Sequence, residues 1–133
     1  RTFCCACQYF VLERWNIRKS HFGRDESARF NTITVLAGGL TLVGNGEEVS
    51  VRKGESLLIP AGLEIEIRPD QNLNNGEVEM LRCYVPDLKR DVIEPLRAAG
   101  NSDEAIAWLG SYGQGNDLLP LLGLWRETFI VGD

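Results

Sequence analysis

Glu13 and Arg14 stand side by side in an otherwise apolar stretch, Tyr9-Phe10-Val11-Leu12 before them and Trp15 after. A carboxylate and a guanidinium inside a strand either form a structural ion pair or face a mouth where they bind polar ligands such as sugars. His21 is the single histidine of the chain and lies in the polar run Lys19–Asp25, which reads as an exposed connection. Cys4 and Cys7 form a C-x-x-C pair, half of a zinc site, which Cys83 and His21 complete only on paper. Three of the four cysteines crowd into the first seven residues, which reads as a leader and is poor geometry for a disulfide framework. The carboxylate pairs Glu47-Glu48, Glu64 with Glu66 and Glu77 with Glu79 sit in turns or on alternating wet faces, and read as solvated surface. Trp15, Trp108 and Trp125 read as packing anchors. No Ser/His/Asp or Cys/His constellation, P-loop or dinucleotide fingerprint is present.

The elements that must position these groups are mostly strands. Gln8 to Arg18 is expected as a strand with a bulge near Glu13-Arg14, where its alternation shifts. Phe30 to Leu36 is rich in Thr, Ile and Val, and Asn45-Gly46 is a two-residue hairpin signal joining Leu40–Val43 to Glu48–Arg52. Gly54 permits a tight connection, Ser56 to Ile59 reads as a short strand that Pro60 ends, and Gly62 allows a second turn. Glu64 to Arg68 alternates strictly, and Asn75-Gly76 turns into a strand from Val78 to Val85. Many short strands with regular turns predict an antiparallel sandwich or barrel. Past Pro86 the pattern turns helical. Asp87 caps Leu88–Ala99, which Pro95 should kink or split, and Asn101 or Ser102 caps Asp103–Leu109. Ser111 to Asn116 reads as loop, Leu118 to Leu124 as an apolar run around Pro120, and Trp125 to Val131 as a last strand or arm. The expected organisation is a β-barrel over residues 1–86 and a helical appendage and tail, 87–133, packed on the same domain.

With 133 residues the chain is about one domain long and can bury a core without staples. A net charge of −5 without a basic cluster excludes nucleic acid and anionic membrane as expected partners. No run is long and apolar enough to span a bilayer, no signal-peptide pattern opens the chain, and the cysteine usage predicts a reducing, cytoplasmic setting. A chain that opens on Arg1 rather than Met reads as processed or as a piece of a longer one.

Gly54-Glu55-Ser56-Leu57-Leu58-Ile59-Pro60-Ala61-Gly62 has the spacing G-x5-P-x-G and resembles the second sequence motif of the cupin superfamily of small β-barrels. In metal-binding cupins a histidine follows three residues after the last glycine; here that residue is Ile65. Cys7–Trp15, Thr34–Gly39 and Lys53–Ala61 together resemble the C-terminal region of type I mannose-6-phosphate isomerases. Tyr84–Leu88 and the helical pair look like the tail of bacterial members, so the resemblance covers roughly residues 7 to 109. It implies a cupin jelly roll. It also implies a parent enzyme, zinc-dependent in its catalytic domain, that interconverts mannose 6-phosphate and fructose 6-phosphate. The family's catalytic Gln-x-His is not in these residues, so no catalytic residue carries over. Counting back from Gly38 by the first cupin motif places Asn31 at the glutamate position, with Asp25 and Ser27, or Arg24 and Glu26, at the two histidine positions. No transition metal or other cofactor is therefore expected in this chain, and an Asp25/Asn31 oxygen site for a hard cation is weak. Glu13, Arg14 and Asn31 are the candidate ligand-binding residues. Three roles stay open: a non-catalytic domain or stand-alone relative of the isomerase, a metal-free cupin that binds a carbohydrate, a small acid, a sugar phosphate or another small molecule, and a structural barrel that dimerises.

Overall fold

The computed structural model describes residues 1–24, 29–111 and 115–124. Its contacts divide the chain into two compact units: Arg1–Thr2 with Glu13–Tyr84, and Phe3–Leu12 with Val85–Asp133. The first is the antiparallel β-barrel of two sheets that the strand pattern predicts. β1 is Thr2–Ala6, β2 Val11–Ile17, β3 His21–Arg24, β4 Asn31–Ala37, β5 Gly39–Gly44, β6 Glu47–Arg52, β7 Ser56–Ile59, β8 Glu64–Pro69 and β9 Val78–Tyr84. In the barrel unit one sheet runs β2-β9-β4-β7 and the other β3-β8-β5-β6. β2 and β4 bury alternate residues, and the inner faces of the two sheets meet in one core. Ile17, Ile33, Val35, Val78 and Met80 come from the first sheet, and Leu40, Leu42, Val51 and Ile67 from the second.

The turn residues sit where backbone geometry demands them. Asn45 and Gly46, with φ of 50° and 76°, join β5 to β6 as a two-residue hairpin. At Gly38 φ is 76°, just after a bulge that shifts the β4–β9 register between Val35 and Ala37.

Several elements differ from expectation. The leader is a strand: Thr2–Ala6 carries Thr, Phe and two cysteines of good strand propensity. The strand expected from Gln8 begins only at Val11. Cys7 N–H donates to the Phe10 carbonyl (2.9 Å) and closes a turn, leaving Tyr9 and Phe10 exposed. The polar run around His21 is also a strand, because β8 supplies its partners, with His21 opposite Ile67 and Arg24 opposite Glu64. Tertiary pairing overrides the polar composition there. Trp108 is no core anchor, being 56% exposed, and Trp125 lies outside the described residues.

In the second unit, Lys89–Ile93 forms a π-helical turn that passes into α1, Glu94–Ala98, and the change of helix type falls next to Pro95, which has no N–H with which to continue a regular ladder. Asp87 accepts the Arg90 N–H (3.2 Å) while Asp91 accepts the Asp87 N–H (2.8 Å), a reciprocal cap at the entry. Ser102 caps α2, Asp103–Ala107, by accepting the Ala105 N–H (3.1 Å). Leu118–Leu122 is a third helix, α3, closed by Gly123 at φ 70°; Pro120 lies in its first turn and so does not break it. Buried Asn116 binds the Ala107 carbonyl (2.9 Å) and the Leu118 N–H (3.0 Å), and so ties α2 to α3. The arm suggested over Trp125–Val131 lies outside the described residues.

Arg97 grips Asp103 through two hydrogen bonds of 2.8 and 3.1 Å, which hold the Asp103 carboxyl below its ordinary value. A depressed carboxylate contributes stability above its unfolded pKa, and that contribution disappears as pH falls through the lowered folded value. The pair is about half-exposed and screened by solvent, so Asp103→Asn is expected to lower the melting temperature only slightly at neutral pH and not at all in acid below both values. Thermal scans at the two pH values check this.

Candidate functional site

The barrel unit holds a half-open cavity of about 200 Å³. Strands of both sheets line it, and alternation along three of them places its polar groups. On β2 the odd positions face inward, so Val11, Glu13 and Ile17 are buried and Trp15 half-buried, while Arg14 and Asn16 face out. This alternation runs unbroken through Glu13-Arg14, where a shift was expected. On β4 Asn31, Ile33 and Val35 face inward. On β9 the inward series is Val78, Met80, Arg82 and Tyr84.

Glu13 is wholly buried. Its carboxylate accepts from the Trp15 indole N–H (2.9 Å) and from the Tyr84 hydroxyl, and lies 3.6 Å from Arg82 Nη1 and 3.9 Å from Arg1 Nε. Arg82 Nε–H donates to Asn31 Oδ1 at 2.8 Å, and the guanidinium carbon lies 4.3 Å from the centre of the Tyr84 ring. Arg29 lies 4.2 Å from the same ring. A fixed cation therefore sits on the inner face, gripped by a carboxylate, an amide and an aromatic ring.

Of the candidate residues, the structure brings Glu13 and Asn31 together on Arg82. Arg14 lies on the outer face, where its Nη2 meets Glu79 Oε2 at 3.1 Å. That ion pair is half-exposed, so Arg14→Ala should cost only about 0.2–1 kcal/mol in urea unfolding. Arg82 escaped the sequence reading. The usable signal was the period of two from Val78, which sets one charged residue among Val78, Met80 and Tyr84 on the inner face.

Asn31 lines the cavity together with Arg82, Arg24, His21 and Trp15. His21 packs edge-on against the Trp15 ring, the centroids 5.2 Å apart. The remaining lining is aliphatic: Ile33, Ile59, Ile67 and Met80 are buried, and Ile65 and Leu63 half-buried. Ile65, at the position where metal-binding cupins carry a histidine, thus presents a hydrocarbon wall. Asp25, Glu26 and Ser27 lie outside the described residues. Among the described residues, no three of His, Cys, Asp and Glu gather as a metal-ligand set, and no helix is long and apolar enough to cross a membrane. A separate open groove borders β6 and β7, where Val49 and Leu58 are exposed.

Comparison with known proteins agrees with this architecture. The profile of the family described as "Mannose-6-phosphate isomerase, cupin domain" matches residues 1–68. No curated protein matches the chain. Among solved structures, a cupin-2 domain protein from Shewanella frigidimarina is 12% identical, over 59% of this chain and 72% of that one, with a TM-score of 0.51. A Neisseria meningitidis protein is 10% identical, over 61% and 79%, with a TM-score of 0.52. The EutQ protein of Clostridium difficile is 19% identical, over 59% of this chain, with a TM-score of 0.48; the chain spans 57% of its length. Identities this low speak to fold alone.

Proposed function

We propose a non-catalytic role for this chain, which belongs to the mannose-6-phosphate isomerase cupin-domain family. It serves as the C-terminal cupin domain of an isomerase of carbohydrate metabolism, or as a relative of that domain, with a barrel that binds a small molecule and performs no metal chemistry. One observation carries the reading: in the cavity, Ile65 stands at the metal-ligand position and Asn31 at the glutamate position is held by Arg82. A guanidinium fixed at this place supplies positive charge, but no open coordination position.

Aldose–ketose isomerisation requires a base that carries a proton between neighbouring carbons and an electrophile that stabilises the enediolate oxygen. Glu13 pairs with Arg82, yet it is enclosed by the Trp15 N–H, the Tyr84 hydroxyl and Arg82 and is not among the described lining of the cavity. His21 lines it from an exposed edge position, with no acidic partner to orient it among the described residues. The four free cysteines support a reducing, cytoplasmic setting.

A coupled assay tests this. The purified chain with added zinc is expected not to interconvert mannose 6-phosphate and fructose 6-phosphate. Turnover that scales with protein concentration and is abolished by chelator would overturn the reading.

A further inference from the structure

We infer that the cavity takes a small organic carboxylate with an apolar body rather than a sugar phosphate. The inference rests on the metal-free reading above, since a resident metal would itself be the anion's partner. Two guanidiniums, Arg24 and Arg82, line one cavity with His21, and no carboxylate belongs to its described lining. Glu13, outside the lining and 3.6 Å from Arg82 Nη1, offsets the Arg82 charge, so Arg82 contributes a fixed donor and Arg24 the second cation. With Asn31 on Nε and Tyr84 against the guanidinium, Arg82 is pre-organised, and little of its freedom remains to be lost on binding. A planar guanidinium tolerates partial burial better than an ammonium and matches a carboxylate through paired hydrogen bonds.

The rest of the lining decides what the anion is attached to. Ile33, Ile59, Ile65, Ile67 and Met80 offer hydrocarbon and no side-chain hydrogen-bond partner. A sugar ring pressed against them would lose water from its hydroxyls without replacement, which opposes binding. A branched or aromatic body loses nothing there and gains apolar burial. The volume of about 200 Å³ is below the roughly 300–1,000 Å³ of clefts for drug-sized ligands, so the body must be compact.

The test is calorimetric titration of the full chain, stripped with chelator beforehand. The probes are 4-methylpentanoate, its neutral amide, mannose 6-phosphate and inorganic phosphate. The acid should bind about tenfold or more tightly than the amide, and more tightly than mannose 6-phosphate or inorganic phosphate. Arg24→Gln, an exposed position, should weaken the acid about tenfold while the melting temperature stays unchanged. Equal affinity for acid and amide, tighter binding of mannose 6-phosphate or of inorganic phosphate, no binding of the acid up to its solubility, or an unaltered affinity in Arg24→Gln would each overturn the inference. Because the protein is metal-stripped and no turnover is read, such a failure leaves the non-catalytic reading standing. Failure of that reading appears instead as turnover or bound metal in untreated protein.

Discussion

Glu13→Ala is expected to lower the free energy of unfolding by about 3–5 kcal/mol, measured by urea denaturation. The carboxylate has no exposure to water, and it is the acceptor for the Trp15 indole and the Tyr84 hydroxyl and the counter-charge of Arg82. Alanine takes this acceptor from the Trp15 indole and the Tyr84 hydroxyl and the counter-charge from Arg82, and the damage is the desolvation of what remains rather than the worth of the pair itself. Glu13→Gln keeps the volume and one acceptor oxygen, so its loss should be smaller. A double-mutant cycle with Arg82→Met should show coupling, since Arg82 without its carboxylate is already compromised. A loss below about 1 kcal/mol in Glu13→Ala would mean that the carboxylate is not the hub of this network.

Gly38→Ala should cost about 2–5 kcal/mol, combining a left-handed backbone penalty of about 1–2 kcal/mol with about 1–3 kcal/mol for overpacking. At φ 76° a side chain is strained, and its Cβ would land on the Glu77 carbonyl oxygen and lie 3.3 Å from Val78 Cα. Both contacts are backbone at the start of β9, so the neighbour cannot swing aside. Gly46 is the control: its φ is also 76°, but nothing lies within 4 Å of the added Cβ. Gly46→Ala should show the backbone penalty alone, and the difference between the two midpoints isolates the clash. Equal losses would contradict the close approach of β9 to the turn between β4 and β5.

Where a residue type answers a local backbone demand, the structure was legible in the sequence. Asn45-Gly46 specifies its hairpin, Gly54 takes the positive φ expected of it, 86°, and Gly62 makes its turn at φ 72°. The alternation of Glu64–Arg68 places Ile67 in the core and Ile65 on the cavity. Where pairing is made by distant strands, it was not legible. β3 is a polar tetrapeptide whose strand character comes from β8, more than forty residues on. β1 reads as a leader because three cysteines crowd into the first seven residues, two of them in the strand itself. The site was half visible: Glu13 drew notice as a charge in an apolar strand, and Asn31 through motif spacing. Arg82 did not, because its meaning depends on β9 lying between β2 and β4.

The most direct test of a metal-free cavity is elemental analysis of tag-free protein after incubation with zinc, iron and manganese and removal of the excess. Well under one metal per chain is the predicted result. About one metal per chain that persists when Cys4 and Cys7 are replaced, and is lost in Asn31→Ala, would contradict it. The barrel would then hold a cation where the structure places Arg82 beside an isoleucine wall.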